Sequence, residues 1–324
     1  MVRIGRRAAL GAAFTLAVPR LALAAWPERP IRLVIPYGGG GQTDVVSRLI
    51  GEAIAQRLGT PVLADNRPGA AGNLAAEIVS RAPADGYTMM VGSTGPLGGV
   101  NAVLYRTLSY DWQRDFAPIG LFTTAQNVIL VHNSLPVRNL AEFIAYAKAN
   151  PGRINYASSG VGATTHLSME LLSEKAGIEM VHVPYRQSTQ GMTDLLAGRV
   201  QARSLGLPEA EPVKGSPSIR ALAVTGTQRN PQWPDVPTVA ETLPGYEAVN
   251  AFGLAVPART PPEIITRMNE ALNDALRTPA VRESFLRVGA DPAAPNTPEE
   301  FGAFLRQRGE IWSALVRRLR LVAE

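Results

Sequence analysis

An α/β fold with a largely parallel sheet covered by helices is what this sequence predicts, and three observations carry the prediction. Short β-rich runs alternate with amphipathic helical stretches along most of the chain, which calls for crossover connections and hence parallel strands. A glycine-rich loop joins the first strand to the first helix in IRLVIPYGGGGQTD, Ile31 to Asp44, the arrangement in which open α/β sheets expose a helix start at the carboxyl edge. Behind an N-terminal leader, about 300 residues remain, enough for two domains of ordinary size.

The leader spans residues 1–24 and reads as an export signal. It has a cationic start (Arg3, Arg6, Arg7), an apolar run from Ala8 to Val18 and a small-residue cleavage site at Ala22-Leu23-Ala24,. Arg6-Arg7 ahead of apolar residues resembles a twin-arginine signal, and a plain cationic Sec signal has the same start,. Either places the mature chain in the periplasm. No Cys follows the cleavage site, so no lipid anchor is expected, and Ala8 to Val18 is shorter than the roughly 20 apolar residues that span a bilayer,.

Each element then has a local reason. Strand Ile31 to Ile35 is β-rich; helix Thr43 to Leu58 sets Val45, Val46, Leu49, Ile50, Ala53, Ile54 and Leu58 on one face, with Gly59 just past its end,. Strand Val62 to Ala64, helix Asn73 to Ser80 and strand Thr88 to Val91 continue the alternation,. Ala117 to Phe122 and Val128 to Val131 read as two strands, and helix Leu140 to Ala149 is ended by Asn150-Pro151-Gly152,. From Ile154 a short strand, a Ser/Gly-rich loop and a helix starting near Thr164 repeat the first strand–loop–helix arrangement. Strands Met180 to Val183, Val200 to Ser204 and Ile219 to Val224 follow, then a Pro-rich passage from Asn230 to Pro244, strand Phe252 to Val256, and helices from Pro261 onward. The last, Pro298 to Leu321, is long, amphipathic and rich in Arg.

Composition excludes several functions. The chain has 32 Lys and Arg against 27 Asp and Glu, but Arg3, Arg6, Arg7 and Arg20 lie in the leader, so the mature chain is close to neutral. Its high pI is therefore no sign of nucleic-acid binding. Zero Cys removes disulfides, thiolate chemistry and Cys-type zinc sites,. The three His, His132, His166 and His182, show no metal-ligand spacing, so neither metal nor cofactor is expected,. Glu299, Glu300, Glu310 and Glu324 dilute the terminal Arg cluster into a solvated face,.

The two loops carry the candidate chemistry. Backbone N–H groups stacked at the positive end of a helix dipole suit a small anion such as a carboxylate. In the first loop Thr43 is the expected N-cap, and Asp44, which would repel an anion, is expected to turn toward backbone donors,. A P-loop would need Lys and Ser/Thr where Gln42-Thr43-Asp44 stands, and the dinucleotide fingerprint meets Thr43 where its last glycine belongs,. In the second loop Ser158, Ser159, Gly160, Thr164 and Thr165 offer hydroxyls and N–H groups to a carboxylate, and His166 follows in the first helical turn,. Ser93 and Thr94 follow the strand at Thr88 to Val91 and are expected to join a cleft across which the two loops face one another. Neither serine-bearing loop forms the G-x-S-x-G elbow, which argues against a hydrolase,.

IPYGGGGQTD, ADNRPGAAGNLAAE, ADGYTMMVG, INYASSGVGATTHL, MVHVPYR, IRALAVTG, PDVPTVAETLPGYE and FGLAVPA, in this order, resemble the tripartite tricarboxylate transporter receptors, the Bug or TctC type of periplasmic solute-binding protein. The resemblance runs from Trp26 to the last helix. It implies a two-lobed Venus-flytrap fold, type II-like, with two crossing segments: lobe one from 25–125 plus 251–324, lobe two from 126–250. It implies a non-enzyme that captures a small carboxylate between the lobes and delivers it to a membrane permease; a ligand-presenting sensor or an exported hydrolase of small acids are the alternatives. A monomer is expected. The family's ligand-facing positions fall on Tyr37, Gly39, Gly40, Thr43 and Asp44, with Gln42 where relatives often have a small residue, on the second loop, and on Tyr185 near the hinge.

One segment departs from the family. Relatives commonly end the strand at Val200 to Ser204 with Phe-Asp, the Asp near the cleft; here VQARSLGLP puts Leu205 at the acidic position and Arg203 two residues earlier on the same side,. If that side faces the cleft, the field shifts toward positive and favours a dicarboxylate or an unsubstituted acid over an amino acid. The alternative is that Arg203 reaches solvent along its apolar stem and Leu205 only packs.

Overall fold

A computed structural model describes residues 26–185 and 188–323; the export-signal reading of residues 1–24 lies outside the described residues. β1 (Ile31–Ile35) leads through the glycine loop into α1 (Gln42–Leu58), then β2 (Val62–Asn66), α2 (Asn73–Ser80) and β3 (Thr88–Gly92). Short helices α3 (Thr94–Leu97) and α4 (Val100–Leu104) precede the long strand β4 (Phe116–His132). There follow α5 (Leu140–Ala149), β5 (Asn155–Ser158), α6 (Thr164–Ala176), β6 (Val181–Pro184), α7 (Ser188–Leu196), β7 (Ala202–Gly206), α8 (Leu207–Ala210), β8 (Ile219–Val224) and α9 (Val239–Thr242). The chain returns along β9 (Val249–Pro257) and ends in α10 (Pro262–Arg277), α11 (Pro279–Arg287), β10 (Ala290–Pro292) and α12 (Pro298–Arg318).

Among the described residues the strands form a ten-stranded sheet ordered β2-β1-β3-β9-β4-β7-β5-β6, with β8 and β10 also paired to β4. β1 is parallel to β2 and β3, and β5 is parallel to β6 and β7. β4 and β9 are antiparallel to each other and to their other neighbours. The sheet is therefore mixed, which corrects the expectation of a largely parallel one. Each βαβ half is parallel because its crossovers are helical, whereas β4 carries the chain out of the first half and β9 brings it back.

β4 also corrects the sequence reading of two separate strands at Ala117 to Phe122 and Val128 to Val131. Thr123 to Asn127 interrupts the apolar pattern yet stays extended, because this stretch passes from one half of the sheet to the other. Phe116 to Gln126 pair with β9, and Asn127 to His132 pair with β7 and β8. The polar side chains there bond across the junction instead of turning the chain: Thr123 Oγ1 donates to the Asp291 carbonyl at 2.8 Å.

Two cores flank the junction. On one side Ile31, Leu33 and Ile35 pack under Val46, Ile50 and Ile54 of α1 together with Ala125, Phe252 and Leu272. On the other, Ile129, Val131, Phe143, Tyr156, Leu167 and Leu172 form a second core. Val100 and Leu104 of α4 and Trp312, Leu315 and Val316 of α12 are buried in that second core as well. α1 ends where the sequence places its stop: Gly59 is left-handed (φ 68°) and donates its N–H to the Ala55 carbonyl,. No helix among the described residues is long and apolar enough to cross a membrane.

Candidate functional site

The first helix start is built by the glycine loop. Gly41, extended at φ −80°, is the N-cap of α1 and no side chain caps it. This moves the cap two residues ahead of the expected Thr43, which sits inside the helix and accepts the Ser47 hydroxyl at its carbonyl. Gly40 needs its glycine, with φ at 78°,. Asp44 turns back as expected: Oδ2 accepts the Gly40 N–H at 2.9 Å, and Oδ1 meets Arg48 Nε and Asn66 Nδ2, each at 2.9 Å. Burial alone would raise the Asp44 carboxyl, but Arg48, the Gly40 N–H and Asn66 outweigh it and hold it below the usual range,. The first-turn N–H groups of Thr43 and Asp44 have no intrahelical acceptor. Beneath the loop, burial pushes the Tyr37 phenol up to about 12 against a hydrogen bond with Ser93. Ser93, the N-cap residue of α3, and Thr94 are half-buried beside it.

The second helix start is α6, whose N-cap Ala163 also has no side-chain cap. By contrast α5, α9 and α12 open with Asn139, Thr238 and Thr297 capping their N3 amides,. Several loop hydroxyls expected to face a ligand instead build the loop. Thr165 Oγ1 accepts the Ser159 N–H at 3.0 Å, and the buried Ser158 Oγ accepts the Gly160 N–H at 3.1 Å and lies 2.6 Å from His182 Nε2. Ser159, Gly160 and Thr164 are half-buried at the loop surface. His166 does not reach the cleft: it is 2 % exposed, its Nδ1 accepts the Gly162 N–H, and its ring stacks on His182 at 3.9 Å. Burial lowers the pKa of His166 to about 3, with His182 adding to the shift, and burial lowers that of His182 to about 4,. Both rings are therefore neutral at pH 7 and orient the Ser158 loop.

The two starts share one region. A Cβ on Gly162 of the second loop would lie 2.1 Å from Leu104 of α4, so that loop rests directly on an element of the other half. Across the junction, Glu209 Oε1 accepts the Gln42 N–H at 3.2 Å. Gln42 Nε2 donates to the Gln126 carbonyl at 3.0 Å, and Asn250 Nδ2 bonds both Gln42 Oε1 at 2.6 Å and Asn127 Oδ1 at 2.9 Å. Sequence reading missed Asn127, Glu209 and Asn250. A signal was available for Asn127: a polar residue between two apolar strand runs must be bonded if it is buried.

Tyr185, Arg203 and Leu205 lie on the other face of β7. Leu205 is packed with Val128, Leu195 and Leu207, and the Tyr185 hydroxyl donates to Asp194 at 2.7 Å. Arg203 is only 1 % exposed, so it does not run out to solvent, and Nη2 lies 3.4 Å from Glu209 Oε2. Glu209 of α8 thus stands against the Arg203 guanidinium. The pairing offsets the positive charge that Arg203 brings to this side of β7. Among the described residues no cluster of His, Asp or Glu could hold a metal.

Residues 46–321 match the family described as tripartite tricarboxylate transporter family receptor. A UPF0065 protein in the tcbD-tcbE intergenic region of Pseudomonas sp. strain P51 is 35% identical over 100% of this chain and 97% of its own. The solved R. palustris Rpa4515 with adipate superposes with a TM-score of 0.86 at 35% identity, covering 90% of this chain and 98% of that one. MatC (Rpa3494) from Rhodopseudomonas palustris with bound malate gives 0.82 at 31% identity, covering 90% and 100%. The periplasmic binding protein BugD gives 0.85 at 30% identity, covering 92% and 100%, and the matched family is one of receptors. The chain belongs to the tripartite tricarboxylate transporter family of receptors.

Proposed function

We propose that this protein is a periplasmic receptor that captures a small carboxylate between its lobes and hands it to the membrane permease of a secondary transporter. What supports the reading is the pair of helix starts, α1 and α6, each preceded by a glycine-containing loop and without a side-chain cap. Each offers unpaired N–H groups and the positive end of a dipole to an anion. Adipate in one relative and malate in another support a dicarboxylate. The contacts would come from the glycine loop at Gly39 to Asp44, from Ser93 and Thr94, and from Ser159, Gly160 and Thr164. Lobe one would comprise 25–125 plus 251–324 and lobe two 126–250, with the hinge in β4 and β9. The mature chain works as a monomer after export by a Sec or twin-arginine signal.

Calorimetry of the mature protein with adipate, malate and citrate, each in EDTA, tests this. At least one should bind, and chelation should leave the affinity unchanged. Binding of none, or binding lost in EDTA and restored by a divalent ion, overturns the reading. Small-angle scattering with a saturating ligand should show a smaller radius of gyration as the lobes close; an unchanged profile removes the hinge.

A further inference from the structure

The strands that join the lobes carry a chain of side-chain amides whose direction is fixed. Gln42 Nε2 donates to the Gln126 backbone carbonyl, and a carbonyl can only accept, so that end of the Gln42 amide must be its NH2. Its Oε1 then faces Asn250, whose Nδ2 donates to Gln42 Oε1 and to Asn127 Oδ1. With Oδ1 held toward Asn250, Asn127 presents Nδ2 on its far side, and this buried donor meets no protein acceptor. Flipping Asn127 would set its NH2 against that of Asn250. Flipping all three amides would set Gln42 Oε1 against the Gln126 carbonyl. The orphan donor is thus built into the relay, and a buried donor left unsatisfied is costly.

Its position is close to the start of α1. Strand alternation puts Asn127 on the face shared by Ala125 and Ile129. Ala125 packs in the core that holds Val46 and Ile50 of α1, and Ile129 in the core that holds Leu167 of α6. Asn127 therefore lies between the two cores; Asn250 links it to Gln42 in the first turn of α1, and its β7 partner Gly206 stands two residues from Ser204, which bonds Ser168 of α6. Its backbone cannot swing away, because its N–H donates to Thr225 Oγ1 and its carbonyl accepts the Thr225 N–H, both at 2.9 Å.

We infer that Asn127 is a ligand-binding residue whose Nδ2 donates to an oxygen of the bound anion, so that the hinge itself reads the ligand. The inference rests on the carboxylate-receptor reading above. A donor held in place by the relay needs no ordering when the ligand arrives. It donates to a carboxylate or hydroxyl oxygen at that point and disfavours an ammonium group, which has no acceptor to offer.

Asn127→Asp keeps the acceptor for Asn250 and replaces the donor with an anionic oxygen; Asn127→Ala removes both. By calorimetry with adipate, malate and citrate, Asn127→Asp should weaken binding by about 100-fold and Asn127→Ala by about tenfold. In selectively labelled wild type, the Asn127 side-chain NH2 resonances should move on saturation with the same acid, a readout that does not depend on a variant folding. A wild type that binds none of the acids overturns the receptor reading and this inference with it. A wild type that binds while Asn127→Asp binds within twofold, or while the Asn127 amide signals stay in place, overturns the inference alone.

Discussion

Acidification from pH 7 to pH 4.5 should lower the unfolding free energy by about 3–4 kcal/mol through His166 and His182. Their pKa values are about 3 and about 4 in the folded protein, against about 6.5 in an unfolded chain. The folded state binds fewer protons than the unfolded state between those values. The stability is therefore fully present above pH 6.5 and is lost as the pH falls toward 4. His166 contributes the larger part of the change, and His182, half-buried and partly screened by water, contributes less,. Paired carboxylates such as Asp44, Asp65 and Glu241, all held below their usual range, begin to contribute only at the acid end. Urea unfolding at several pH values checks this, and His166→Gln with His182→Gln should flatten the slope between pH 6.5 and 4.5. An unchanged slope in that double variant would show that the histidines are not the source. Because His182 holds Ser158 in the second loop, the same proton uptake should loosen the region where the ligand is proposed to bind.

Gly309→Ala should destabilise the protein by about 3 kcal/mol, although helix propensity alone predicts a gain of roughly 1 kcal/mol for removing a glycine from a helix interior. A Cβ on Gly309 of α12 would lie 1.7 Å from the carbonyl oxygen of Gly98, a backbone atom that cannot rotate aside. Gly98 is equally confined, since its own Cβ would meet the Thr94 carbonyl at 2.7 Å and the Leu305 carbonyl at 2.9 Å. The two glycines let α12 seat its backbone against the turn between α3 and α4. That contact positions the segment that starts at Ser93 and Thr94. Gly302 in the same helix is the control: a Cβ there meets Pro118 Cγ at 3.4 Å and Arg306 Nη1 at 3.5 Å, close to ordinary contacts. Gly302→Ala should be neutral or stabilising. Equal stability of the two variants in urea would sink the account.

Much of the local structure was legible. Asn73–Ser80, Leu140–Ala149 and Ile219–Val224 stand at the residues their periodicity and flanking breakers predict. The helix after the glycine loop begins one residue early, at Gln42, because Gly41 is the cap. The short helices α3, α4, α8 and α9, and the α7 and β10 elements, were not anticipated; β10 has only three residues and exists by pairing with Thr123 to Ala125. At the site, the glycine loop and the Ser/Gly loop stood out because backbone donors at a helix start depend on local sequence alone. The roles of the hydroxyls did not: Ser158 and Thr165 are occupied within their own loop.

Local periodicity and motifs along most of the chain were enough for the longer strands and helices, the two strand–loop–helix starts and the family. Only the tertiary structure decided that the sheet is mixed, that β4 runs unbroken between the lobes, and that Glu209 faces Arg203. It alone joined Gln42 to Gln126, 84 residues away, and to Asn250, 208 residues away. A side-chain amide or a buried guanidinium can be satisfied by many partners. Which one it meets is set by how strands distant in sequence come together, and local pattern carries no record of that choice.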